Sequence, residues 1–109
     1  MVATGNFLDW QDEPGEDAGS GVSFVAIEGK AFEAAKVILS PGTELDEHSH
    51  PEDQFFYILE GLLRYRVGDE EKTVGPGEAI LMPGGVSHGG VADADVPTVF
   101  IEIKELSGD

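Results

Sequence analysis

The sequence predicts an all-β fold, a sandwich or barrel built from short strands. Three observations predict it: apolar runs of strand length, their content of Val, Ile, Phe and Tyr, and Gly or Pro turn signals between them. The chain has 109 residues, which is enough for one domain with one compact core. It contains no repeat of fixed period and no low-complexity segment.

The first 21 residues differ from the rest of the chain. Residues 1–21 are polar and glycine-rich, so we expect an N-terminal arm, followed by the barrel at residues 22–109. Phe7, Leu8 and Trp10 are the side chains of the arm that can dock on the body. No signal peptide or membrane span is predicted, and we expect a cytoplasmic protein. The chain has no cysteine, which excludes disulfides and thiolate chemistry.

Apolar runs of strand length follow from residue 22 onward. In chain order they are VSFVAIE (22–28), FEAAKVIL (32–39), QFFYIL (54–59), LLRYRV (62–67), KTV (72–74), AILM (79–82) and TVFIEI (98–103). The run at 32–39 contains Ala and Lys, which favour a helix. Because Pro41 and Gly42 would stop that helix after one or two turns, a strand is predicted there as well.

The charge of the chain is strongly negative. Twenty-two acidic residues against six basic ones give a net charge of −16, which opposes binding to nucleic acid or to an anionic membrane. The acids are spread along the whole chain, as in a solvated surface adapted to high salt, where screening removes the self-repulsion. We therefore expect a halophilic source. Exposed barrel edges and the apolar side chains of the arm predict a homodimer, formed by strand exchange.

The three histidines are the candidate ligands for a metal. His48 and His50 lie two residues apart, so on a strand both side chains point to one face. Gln54 opens the next predicted strand, and His88 follows a Pro-Gly-Gly turn. Imidazole nitrogens and an amide oxygen suit one divalent transition metal (Fe, Mn, Ni, Cu or Zn) with positions left open for water or substrate.

Two alternatives stay open for these residues. The histidine pair can be the solvated tip of a hairpin without a metal. Gln54 can hydrogen-bond a neighbour while three histidines alone hold the ion. As a ligand, a glutamine would leave the full divalent charge on the metal and sharpen its power to polarise a carbonyl.

The spacing of these residues resembles the two motifs of the cupin family, G-x5-H-x-H-x3-E-x6-G and G-x5-P-x-G-x2-H-x3-N. Gln54 stands where Glu is usual, and Ala92 where Asn is usual. The other eight positions match: Gly42, His48, His50, Gly61, Gly77, Pro83, Gly85 and His88. The resemblance covers residues 42–92 and implies a small single-domain cupin, a double-stranded β-helix or jelly-roll barrel. The four glycines are expected at turn positions with positive φ.

The run HSHPEDQ is similar to small cupins in which Gln replaces the ligand Glu, including those that process unsaturated uronates. In that group the metal assists conversion of the uronate to its open keto form, aided by an acid and a C-terminal arginine. Glu102 falls near the position of the acid, whereas the chain ends KELSGD without an arginine. The resemblance implies a metal-assisted isomerase or ring-opening enzyme on a small carbonyl or sugar-acid substrate. The alternatives are a metal-dependent dioxygenase and a non-catalytic metabolite-binding module.

The pattern of alternation predicts which side chains surround the metal. Phe56 and Ile58 follow Gln54 at every second position and are expected to form an apolar pocket floor. On the last strand, Val99 and its alternating isoleucines form an apolar face. We therefore expect Glu102 on the opposite face, in water. No catalytic residue is assigned, and the candidate base is Glu102 or a bound hydroxide.

Overall fold

The computed structural model describes residues 2–11 and 16–107, which form strands joined by turns. Extended segments follow from the β-branched and aromatic content of the runs, and the turns from Gly and Pro. The strands are β1 (Val2–Ala3), β2 (Glu16–Gly19), β3 (Val22–Glu28), β4 (Phe32–Leu39), β5 (Glu44–His48), β6 (Gln54–Glu60), β7 (Leu63–Val67), β8 (Glu70–Val74), β9 (Ala79–Met82), β10 (His88–Ala92) and β11 (Thr98–Glu105). No helix of the described chain is long and apolar enough to cross a membrane.

The strands form two sheets packed against each other. The larger has the order β1-β3-β4-β11-β6-β9, with β2 also paired to β3, and the smaller has the order β5-β10-β7-β8. Within the described residues all pairs are antiparallel except β1 with β3. This is the predicted all-β barrel of jelly-roll type. The four motif glycines adopt positive φ, as expected: Gly42, Gly61, Gly77 and Gly85.

Apolar side chains from both sheets fill the space between them. Leu39, Ile58, Leu63 and Met82 are fully buried, and burial of each stabilises the fold by about 1.5–3 kcal/mol. Phe100 is buried among them. Two of the histidines lie at strand ends: His48 is the last residue of β5 and His88 the first of β10.

The apolar runs predict the central strands well. The bounds of β3, β4 and β9 coincide with the predicted runs, and residues 32–39 form a strand and not a helix. The predicted runs omit β5 and β10, which are short and rich in polar residues or glycine. In the smaller sheet β5 pairs with β10, and β10 also pairs with β7. Such pairing between distant segments is not visible in local composition.

The N-terminal residues extend the larger sheet. β1 and β2 both pair with β3, so parts of the predicted arm are strands. Trp10 docks as expected, because its Nε1 donates to the carbonyl oxygen of Val25 at 3.1 Å. Phe7 does not dock: its side chain is 93% exposed, and that expectation is wrong. The division between an arm at 1–21 and a barrel at 22–109 stays a prediction.

The two faces of β11 are opposite to the expectation. Phe100 and Glu102 lie across from Ile58 and Phe56 in the ladder with β6, so both point into the barrel. Ile103 points outward and is 39% exposed. The placement of Glu102 in water is therefore wrong. The outer face of this sheet is itself apolar, so apolarity alone did not identify the inner side.

Candidate metal centre

The three histidines meet where the end of β5, the segment that follows it and the start of β10 come together. His88 begins β10 and lies directly opposite His48, the last residue of β5. His50 lies in the turn after β5, not on the strand itself, so alternation along a strand was the wrong reason for its direction. The three rings lie 4.5–5.4 Å apart by their centroids, and one ring nitrogen from each lies within 4.8 Å of the others.

Backbone carbonyls orient each ring in the same way. The Nδ1 atoms of His48, His50 and His88 lie 2.8, 2.9 and 3.0 Å from the carbonyl oxygens of Asp46, Glu52 and Val86, respectively. A carbonyl can only accept, so Nδ1 must carry the proton and donate. Each Nε2 is then left with a free lone pair, which is the arrangement found in metal-binding histidines.

His88 gives the clearest indication that something is bound here. Its side chain is 1% exposed, and its Nε2 is the one buried side-chain N or O atom of the described residues that has no hydrogen-bond partner. An unpaired buried polar atom costs about 1–3 kcal/mol. Burial lowers the pKa of the His88 imidazole, which favours the neutral ring that a metal requires. A cation facing this nitrogen would remove the cost.

The Gln54 side chain completes the group. Its Oε1 lies 3.0 Å from Nε2 of His50, and the His50 ring already donates through Nδ1. Two acceptors therefore face each other. Two lone-pair donors this close together could share a cation as ligands.

The loops that carry His50 and His88 are locked together by close backbone contact. Gly85 N donates to the carbonyl oxygen of His50 at 2.7 Å, and Gly84 N donates to Oδ1 of Asp53 at 2.7 Å. A Cβ atom on Gly84 would lie 2.1 Å from the carbonyl oxygen of Pro51. Only glycine permits this approach, so the turn at 83–85 fixes the distance between two of the candidate ligands.

A cavity of about 290 Å³ opens beside the histidines, near the lower end of the usual size for ligand sites. Of the two expected floor residues, Phe56 lines it, whereas Ile58 is fully buried in the core and does not. Its walls are Val22, Phe24, Glu33, Ala35, Val37, Leu39, Leu45, His48, Gln54, Phe56, Tyr65, Phe100 and Glu102. The cavity is therefore mainly apolar, with a few polar groups near the histidines.

Two carboxyl groups lie in this cavity, Glu33 from β4 and Glu102 from β11. Burial raises the pKa of the Glu102 carboxyl, and the charge of Glu33 raises it further; the Gln54 side chain, as a hydrogen-bonding neighbour, opposes both. Sequence analysis placed Glu102 outside and did not consider Glu33. Alternation along β11 could have identified Glu102, because Phe100 lies two positions earlier on the same face and belongs to the core.

Comparison with known proteins agrees with this geometry. A family model described as a cupin domain matches residues 35–104, which include all three histidines and Glu102 but not Glu33. The tetracenomycin polyketide synthase protein TcmJ of Streptomyces glaucescens is 35% identical over 71 residues, 63% of this chain and 48% of that protein. The chain thus spans about half the length of this curated relative.

Solved structures share the fold over nearly the whole chain. KdgF from a Halomonas species has a TM-score of 0.85 at 23% identity, with 97% of each chain covered. The polyketide cyclase RemF of Streptomyces resistomycificus has a TM-score of 0.80 at 23% identity, covering 94% of this chain and 80% of that one. At these identities the likeness shows the fold.

Proposed function

The chain belongs to the cupin family, and from that premise we propose that it is a metal-dependent enzyme that moves a proton on a small carbonyl or sugar-acid substrate, as an isomerase or ring-opening enzyme. One observation carries the proposal: the Glu102 carboxyl shares a cavity with the candidate ligands His48 and Gln54. A metal site alone is compatible with many activities in this fold. An acid–base group beside it narrows the choice to chemistry that needs a proton transfer.

The proposed ligands are His48, His50, Gln54 and His88, holding one divalent ion of Fe, Mn, Ni, Cu or Zn. Their Nε2 and Oε1 atoms converge, and the orphaned Nε2 of His88 supports ligation. The bound ion would supply Lewis-acid polarisation of a carbonyl oxygen. The apolar walls of the cavity would remove a bound substrate from part of the surrounding water, which would strengthen its interactions with charged groups there.

Glu102 is the proposed general base and acid. The carboxylate would take a proton from the carbon next to the carbonyl and return it at a neighbouring atom, so that no net proton is consumed. Gln54 lies close enough to this carboxyl to lower its pKa, against the effect of burial, so the carboxyl and the candidate ligands are neighbours. Phe56 packs against Phe100 at 4.2 Å between ring centroids and forms a rigid apolar wall beside the substrate.

Carbonyl substrates are also supported by the relatives. TcmJ is named as a protein of a polyketide synthase and RemF as a polyketide cyclase, and polyketide chains are rich in ketones. The motif resemblance to uronate-processing cupins favours a keto sugar acid instead. Both substrate types acquire negative charge on a carbonyl oxygen during enolisation, so the same site serves either.

The test is proton exchange in deuterated water. The metal-loaded protein is incubated with a panel of small ketones and 4,5-unsaturated uronates, and deuterium incorporation next to the carbonyl is followed by NMR. Glu102→Gln should abolish exchange while metal content stays stoichiometric, and Glu60→Gln, an exposed acid at the far end of β6, should leave it unchanged. Equal exchange in Glu102→Gln would contradict the assigned base.

Two other outcomes would replace the proposal. Oxygen consumption in step with substrate loss would identify a dioxygenase. Ligand-induced thermal stabilisation with neither exchange nor oxygen uptake would identify a metabolite-binding module.

We also propose that two copies of the chain form a homodimer through the outer face of the larger sheet. Ile103, Phe55 and Leu81 lie side by side there, and Leu81 is 61% exposed in a chain with 22 acidic residues. An apolar surface of this kind favours self-association. Leu81→Glu should give a monomer by light scattering at high salt, while Val96→Glu, in a loop away from this face, should not. A monomeric parent protein would contradict the proposal.

A further inference from the structure

Tyr65 is a buried residue in the wall of the cavity beside the candidate metal ligands. The proposed mechanism gives its phenol hydroxyl no role. It lies on β7, 4% exposed, and lines the cavity together with His48 and Glu102. Its ring is tilted against Phe56 at 5.5 Å and stacked near His88 at 6.3 Å. The side chain is therefore held rigidly, directly beside the candidate ligands.

The hydroxyl of Tyr65 reaches from the smaller sheet to the larger. Its hydrogen-bond partner is the thioether sulfur of Met82, at 3.4 Å. Met82 is paired with Gln54 in the ladder between β6 and β9, so the hydroxyl lies on the same level of the barrel as a candidate ligand. Sulfur of this type is a weak acceptor. A buried hydroxyl usually has an oxygen partner, and here the cavity is the place from which a better acceptor can come.

We propose that the Tyr65 hydroxyl donates a hydrogen bond to the carbonyl oxygen of the substrate, and more strongly to the enolate oxygen that forms from it. The nature of the substrate rests on the proposed function; the position of the donor does not. Rotation about the phenol C–O bond moves the proton from Met82 to the ligand without moving the ring. Burial and the nearby charge of Glu102 raise the pKa of the phenol, so that it keeps the proton it donates.

A purely structural role is the competing explanation. Tyr65 belongs to the core cluster, and its bond to Met82 ties the two sheets together. Two substitutions separate the roles. Tyr65→Phe removes the hydroxyl and keeps the ring, whereas Met82→Leu removes the sulfur acceptor, keeps the hydroxyl and nearly conserves volume.

The first experiment measures binding of acetohydroxamate, whose planar oxygen pair resembles an enolate, to the metal-loaded protein by calorimetry. A hydrogen bond to a charged acceptor predicts affinity roughly ten- to hundredfold weaker in Tyr65→Phe, with Met82→Leu close to the parent. Equal affinity in the parent and Tyr65→Phe, or no binding by the loaded parent, would overturn the proposal. Equal weakening in both variants would assign Tyr65 to structure alone.

The second experiment needs no metal and therefore separates this proposal from the proposed function. The carbonyl stretch of ¹³C-labelled cyclohexanone is recorded by infrared spectroscopy with metal-free protein in excess. The bound band should lie at lower frequency in the parent and in Met82→Leu than in Tyr65→Phe. A band unaffected by Tyr65→Phe would refute donation by the phenol, even if a metal-dependent activity were established.

Discussion

Replacing His88 by leucine should abolish metal binding without destabilising the metal-free protein. His88 is almost fully buried, and its Nε2 has no partner in the absence of a metal. Leucine would remove an unpaired polar atom that costs about 1–3 kcal/mol and would lose the hydrogen bond from Nδ1 to Val86, worth about 1 kcal/mol. We expect the free energy of unfolding to be unchanged or to rise by up to about 2 kcal/mol.

Metal binding should stabilise the parent protein by a larger amount. An ion at a thousandfold excess over its Kd stabilises the native state by about 4.1 kcal/mol. With an unfolding entropy of about 2.1 cal/mol/K per residue, a chain of 109 residues gains roughly 18 °C in Tm. The same conversion gives at most about 9 °C for His88→Leu in the metal-free protein.

Differential scanning calorimetry with and without Fe, Mn, Ni, Cu or Zn measures both effects. The parent should gain stability with at least one metal, and His88→Leu with none. His48→Leu is the matched control: His48 is exposed, so metal response should be lost while metal-free stability changes by less than about 0.5 kcal/mol. A fall in metal-free Tm of more than about 5 °C in His88→Leu would show that the imidazole contributes to folding. The reasoning from its unpaired nitrogen would then be wrong.

Two further predictions concern the loop contact and the surface charge. Gly84→Ala places a methyl group against the Pro51 carbonyl and should weaken metal binding at least tenfold, as measured by calorimetry. Gly77→Ala is the control, because Gly77 has a positive φ but open space around it. It should cost about 1 kcal/mol of stability and leave metal affinity intact. Adding NaCl from dilute buffer to 1 M shortens the Debye length to about 3 Å and should raise the Tm of this chain of net charge −16, whereas a Tm independent of salt would remove the reason for a halophilic source.

Sequence reasoning worked where a local rule determined the structure. The apolar runs at 22–28 and 32–39 became strands with the predicted bounds because β-branched and apolar residues fill the core side of a sheet. The motif glycines occupy turns, since their positive φ is a property of one residue and its neighbours. The spacing of the three histidines in the sequence predicted that they converge, and their ring nitrogens do lie close together.

It failed where the answer depended on contacts between distant segments. Residues 16–19 add a strand to β3 although nothing in their composition predicts one. Glu102 was placed in water because Ile101 and Ile103 were read as the core side of β11. The ladder with β6 puts those isoleucines on an outer face that is also apolar. Glu33 and Tyr65 were not considered as cavity residues, although alternation places Glu33 with the buried Ala35 of β4 and Tyr65 with the buried Leu63 of β7.

The position of Glu102 also explains why a glutamine can stand at the fourth ligand position. A carboxylate at residue 54 would lie close to the Glu102 carboxylate, whereas the neutral amide of Gln54 presents Oε1 to His50 without adding a second negative charge beside Glu102. Under the proposed function, Glu102 would supply beside the ion the negative charge that a glutamate at position 54 would otherwise bring, and it would remain free to take a proton. The two residues should therefore act as a coupled pair.

A double-mutant cycle in the metal-free protein tests this coupling. Gln54→Glu alone should cost about 1–3 kcal/mol, because two carboxylates then compete without a donor between them. Adding Glu102→Gln restores one amide and one carboxylate in exchanged positions, so the double variant should recover most of that loss, with a coupling energy of about 0.5–3 kcal/mol. It should also bind metal, now through a carboxylate, yet show no proton exchange. Additive effects within about 0.5 kcal/mol would mean that the two side chains act independently, and the glutamine would need another explanation.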